Sequence, residues 1–113
     1  MSVTYVDAIS EQLPAADTTV YGPVASGVTA IIVYGLVTCE DAAGTTITTN
    51  IVQSGGTAAV TNIHGYDAAS ISAGTSERLT KIEGACLHAG DFISCAAGAA
   101  TSLNVKFTIK EIR

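Results

Sequence analysis

The sequence predicts an all-β protein: a single antiparallel β-sandwich, jelly-roll-like, of about eight short strands. Three observations carry that expectation. Short runs of β-branched and aromatic residues alternate with Gly, Pro, Ser and Asp, and turn signals recur roughly every 10 to 12 residues. No amphipathic helical period competes with them. The length of 113 residues suits one domain with a modest core.

Taken in order, Ser2 to Ile9 alternates as a strand, and residues 1–14 form an N-terminal arm or edge strand. Residues 15–113 form the sandwich. Glu11-Gln12-Leu13-Pro14 breaks the chain, and Thr18 to Tyr21 is a short strand. Gly22-Pro23 and Ser26-Gly27 are turn signals. Val28 to Cys39 is the strongest strand, apolar enough to suggest burial on both faces over part of its length. Glu40 to Gly44 turns the chain into Thr45 to Gln53, and Ser54-Gly55-Gly56 turns it again. Ala58 to Ile63 is a candidate strand, and His64 to Asp67 a loop. Ala68 to Ser72, Thr75 to Ile82, Cys86 to His88 and Asp91 to Ala96 complete the weaker set. Leu103 to Ile112 is a clean final strand, with Leu103, Val105, Phe107 and Ile109 inward. Its alternation slips at Glu111-Ile112, which suggests a strand end or a bulge.

Composition points to contacts rather than chemistry. Apolar residues make up 48% and charged residues only 13%, and Thr occurs 15 times. Charge depletion of this kind is a mark of interface cores, so an assembled protein is expected. With Trp absent and two Phe, the core is thin and would gain from oligomerisation. Residues 1–77 carry seven carboxylates and no Lys or Arg, and all five cations follow. The acidic balance, net −5, argues against nucleic acid as partner. No run approaches a membrane helix, and eight membrane strands would leave little chain for turns. No secretory signal is evident, so synthesis in the cytoplasm is expected.

Three cysteines, Cys39, Cys86 and Cys95, suit a reducing compartment. Buried thiols are the favoured reading. Cys86 and Cys95 are also a candidate disulfide, facing each other across a hairpin at Ala89-Gly90-Asp91. Cys86 and His88 share one strand face, with Cys95, His64 or Glu83 as further ligands, but the spacing lacks the tight pairs of zinc sites. Glu40-Asp41 lacks the oxygen ligands of a calcium loop. Gly55-Gly56 lacks the Lys-Ser/Thr of a phosphate loop. No nucleophile elbow surrounds any Ser. No cofactor, metal or catalytic residue is therefore expected, and the protein is not expected to be an enzyme. The candidate interface residues are Val3, Tyr5, Val6, Leu13, Tyr21 and Tyr66; the tyrosines also admit a carbohydrate platform.

Tyr21-Gly22-Pro23-Val24-Ala25-Ser26-Gly27-Val28-Thr29-Ala30-Ile31-Ile32, then Ala43-Gly44-Thr45-Thr46-Ile47-Thr48, then Ala89-Gly90-Asp91-Phe92-Ile93-Ser94 form a pattern. It resembles small β-sandwich structural proteins of tailed bacteriophage virions, over about four-fifths of the chain. Pro23 lies one residue nearer the tyrosine than in that pattern, and the cysteines are foreign to it. The resemblance implies a homo-oligomer, often a trimer, located in the virion and made in the host cytoplasm. The first expectation is a capsid decoration (cement) protein that bridges capsid subunits. The alternatives are a neck, collar or tail-fibre component, or a carbohydrate- or cell-surface-binding β-module.

Overall fold

The computed structural model describes all 113 residues. Nine strands follow one another: β1 (Val3–Ser10), β2 (Thr18–Tyr21), β3 (Thr29–Cys39), β4 (Thr45–Val52), β5 (Ala69–Ile71), β6 (Ser76–Arg78), β7 (Cys86–Leu87), β8 (Phe92–Ala97) and β9 (Leu103–Ile112). A single 3-10 turn, Val60–Asn62, interrupts the link from β4 to β5.

One sheet has the order β1-β9-β3-β6, with β7 also on β3; the other has the order β2-β8-β4-β5. The pairs are nested: β1 with β9, β2 with β8, β3 with β6 and β7, β4 with β5. Successive rungs of this long hairpin fall in alternate sheets, which is the jelly-roll arrangement. All pairings are antiparallel.

The core lies between the sheets and is aliphatic around one aromatic ring. Phe107 and Ile109 of β9, Ile32 and Val37 of β3, Ile47 of β4 and Ile93 of β8 are all fully buried. Gly35 lies on the inward side of β3, opposite Phe107. A Cβ there would come within 3.0 Å of the Phe107 ring and 3.1 Å of Leu79, so the absent side chain is what admits the ring.

Several expectations are revised. β3 alternates on either side of Val33-Tyr34: its inward residues are buried and its outward ones half-buried or exposed. The bulge lies in β3, between Ile32 and Tyr34, and β9 keeps its register through Ile112. The apparent slip at Glu111 has a different cause. Glu111 takes an inward position at the open end of the sandwich, where the Tyr21 hydroxyl donates to its carboxylate. Residues 58–63 form the 3-10 turn plus one bridge, Asn50 with Ile63, instead of a strand. Within 75–82 only Ser76–Arg78 is strand; Leu79 turns into the core.

Candidate assembly surface

The two sheets are finished differently on their outer sides. On the second sheet the link after β4 folds back over the outward positions. The Asn50 side-chain amide donates to Ala59 O at 3.0 Å and to Asn62 Oδ1 at 2.8 Å. Asn50, Val52 and Ser94 are consequently buried although they point away from the core.

The first sheet has no such cover. Strand parity puts Val3, Tyr5, Asp7 and Ile9 of β1 on its outer side, beside Ile112, Lys110, Thr108 and Lys106 of β9. Ile31, Tyr34 and Leu36 of β3 continue that face. Val3 is 45% exposed, Tyr5 63%, Ile9 59% and Val33 39%. Lys106, Lys110 and Arg78 stand among them, Arg78 paired with Glu83 and the two lysines flanking Asp7, so cations gather on this face of an acidic chain. Arg78 lies 5.1 Å from the Tyr34 ring centroid, a cation–π contact. Its guanidinium also bonds Glu83 at 2.8 Å. Hydrogen bonding from Arg78 holds the Glu83 carboxyl below its ordinary range.

The edges differ as well. β5 and β6 have three residues each, β6 is charged, and β2 is bulged between Thr19 and Tyr21. These are the usual ways in which a sheet edge is blunted. β1 is eight residues long, in continuous register with β9, and has no Pro, Lys or bulge. Ser2 and Arg113 exchange both backbone bonds, at 3.1 and 2.9 Å. Antiparallel alternation then turns the N–H and C=O groups of Val3, Tyr5, Asp7 and Ile9 away from β9. No backbone bond outside the strand ladders uses any of the four residues.

The expected interface residues divide. Val3 and Tyr5 lie on the open face, while Val6 is half-buried and points inward. Leu13 is a correction: it is fully buried, anchored by its N–H to Leu103 O at 2.7 Å. Tyr21 is half-buried and bridges the sheets through Glu111; burial, and then its bond to that carboxylate, raises its phenol well above its ordinary pKa. Tyr66 packs on the core, and its hydroxyl accepts from the Lys81 N–H at 3.3 Å. Of the inward residues, Leu13 and Tyr66 fall in segments that read as a break and a loop and Tyr21 closes a short strand, and nothing local distinguishes these three from surface anchors. Ile9 and Val33 were missed. For Ile9 the odd-numbered pattern Val3, Tyr5, Ile9 was the available signal.

The cysteines are free thiols. Cys95 is fully buried on the inward side of β8, and burial pushes its thiol up to about 12, with Asp17 adding to the shift. Cys86 is exposed on β7, paired opposite Ile31 on the outer face, so the candidate Cys86–Cys95 bridge is not formed. A cleft of about 660 Å³ at one end of the sandwich is lined by His64, Cys86, His88 and Asp91 among others. Asp91 is spent on backbone groups, accepting from Ser54 N at 3.1 Å and His88 N at 2.9 Å. No three His, Cys, Asp or Glu side chains are grouped to hold a metal ion. No helix is long and apolar enough to cross a membrane.

No family model matches this chain, and none of the curated proteins matches it significantly. Among solved structures it is similar to a chain from Bacillus endospore appendages, described as a novel family of disulfide-linked pili. The TM-score is 0.51 and the identity 14%, over 97% of this chain and 86% of that one. At that identity the likeness is one of fold.

Proposed function

We propose that this protein is a structural subunit of a homo-oligomeric assembly, acting through the contacts it makes with its own copies. One observation carries the reading: the first sheet leaves its outer face and its β1 edge open, while the second sheet is covered and the other edges are blunted. Long, flat, apolar edges are avoided in proteins that stay monomeric. The similar chain from endospore appendages belongs to a pilus, so a sandwich of this kind serves as a polymer subunit there. Disulfide linkage does not transfer simply. A covalent chain needs two reachable thiols per subunit, and here Cys86 is the exposed one while Cys39 and Cys95 are buried.

Decoration of a phage capsid is the version of this reading in which the lattice belongs to another protein. Light scattering and negative-stain microscopy of the purified chain separate the cases. Particles formed by the protein alone support self-assembly. A monomer that saturably coats undecorated capsids supports decoration. A monomer that does neither refutes both.

A further inference from the structure

We propose that β1 pairs with β1 of a second copy, antiparallel about a two-fold axis through Val6, joining two five-stranded sheets into one. The proposal rests on the assembly reading above and specifies its contact. Both strands offer the same outward groups, the N–H and C=O of Val3, Tyr5, Asp7 and Ile9. A strand presenting a self-complementary ladder is suited to pairing with its own copy, and such pairing is isologous.

The side chains select the register. Antiparallel alignments that bring outward groups together place odd-numbered residues opposite each other. If Asp7 faces Asp7 of the second copy, like charges oppose directly and Val3 is left unpaired. If Tyr5 faces Tyr5, Val3 falls opposite Asp7 and Ile9 is left unpaired. Setting Val3 opposite Ile9 and Tyr5 opposite Asp7 uses every outward donor and acceptor of both strands. It also covers Val3 and Ile9, two of the exposed apolar side chains, with each other. Val6 then meets Val6 across the axis as a non-hydrogen-bonded pair, with Cα atoms about 4.5 Å apart. Asp7 tolerates the seam because Thr108 Oγ1 donates to it at 2.9 Å and Lys106 and Lys110 flank that threonine on the same face. An isologous edge closes as a dimer, so larger assemblies built on it have even subunit numbers, not the three of a lone trimer.

The test reads both the edge and the register. In a Cys86→Ser background, cysteine is placed singly at Tyr5, Val6 and Asp7, and mild oxidation is followed on non-reducing gels. Val6→Cys is expected to give a covalent dimer at twice 11.4 kDa, since a 4.5 Å Cα separation lies within about 4.4–6.8 Å for disulfides. Tyr5→Cys and Asp7→Cys are expected to cross-link at least tenfold more slowly. Faster cross-linking at either of those positions overturns the register. In parallel, Tyr5→Pro removes an N–H that the β9 ladder does not use. Light scattering is expected to show the wild type losing its dimer mass in this variant, with circular dichroism unchanged. If the variant keeps the wild-type mass, the β1 seam is wrong while the assembly reading stands. A monomeric wild type at high micromolar concentration overturns both the seam and self-assembly.

Discussion

Leu13 decides between two roles that predict opposite results for one substitution. The segment around it looks like a break in the sequence, where an exposed leucine would serve as an anchor for a neighbour. In the structure its side chain has no exposed surface, and both its backbone groups are held, by Leu103 O at 2.7 Å and Thr101 N at 3.2 Å. Leu13→Ala removes three buried carbons, about 2.4 kcal/mol at roughly 0.8 kcal/mol per methylene. The pinned backbone limits collapse of the site, so a cavity cost is added, and the expected loss is about 3–4 kcal/mol. A domain of this size has about 5–15 kcal/mol to lose, so the effect is large. Urea unfolding at several protein concentrations, with a common m-value, measures it separately from any association. A loss below about 1 kcal/mol, together with weakened self-association, would refute the core placement and restore Leu13 to the interface.

Gly35→Ala is expected to cost about 1–3 kcal/mol by overpacking against the Phe107 ring 3.0 Å away, and combining it with Phe107→Leu should recover part of that loss. A colorimetric thiol assay is expected to titrate one cysteine, Cys86, in the native protein and three in guanidinium; rapid native reaction of Cys95 would contradict its burial. Stability should also fall in acid. Hydrogen bonds from Ser102 and the Ala42 N–H hold the Asp41 carboxyl low, and Arg78 holds Glu83 low. Carboxyls with depressed folded values stabilise the fold above the unfolded pKa, near 4, and lose that contribution as pH falls through the folded value. The melting temperature of Asp41→Asn/Glu83→Gln should therefore fall less steeply below pH 4 than that of the wild type; identical acid limbs would count against both contacts.

Much of the fold was legible because it rests on local patterns. β9 shows its inward face in Leu103, Val105, Phe107 and Ile109, and β3 and β4 are bounded by turn residues at Ser26-Gly27, Glu40 to Gly44 and Ser54 to Gly56. Errors arose where long-range partners override local grammar. Glu111 looked like a break in alternation because its inward place depends on the Tyr21 hydroxyl, 90 residues away in the chain. Residues 58–63 carry strand-like composition, yet Asn50 and Asn62 tie them into a cap over β4, using side-chain hydrogen bonds that no period of two reveals. Leu13 was misplaced because its neighbours Gln12 and Pro14 mark a turn, while its backbone is held by Leu103 at the start of β9 and its side chain is buried.

The candidate site was legible only in half. The exposed alternation of Val3, Tyr5 and Ile9 is present in the sequence, and it marks a strand with an apolar outer side. Which backbone groups that strand leaves unpaired is a different matter, set by its register on β9. A slip of one residue would turn the odd-numbered groups toward β9 and the apolar side chains toward the core. The reciprocal bonds of Ser2 and Arg113, at the two ends of the chain, fix that register. Side chains and backbone then agree: the residues whose N–H and C=O groups face outward are also the ones whose apolar side chains are exposed. The single charge among them, Asp7, would normally protect an edge. Here Thr108 Oγ1 donates to its carboxylate at 2.9 Å, and Lys106 and Lys110 lie on either side of that threonine on the same face of β9. An edge whose one gatekeeping residue is turned to a hydrogen bond with its own sheet remains open to a partner, and the proposed partner that matches its spacing and polarity is the same strand turned around.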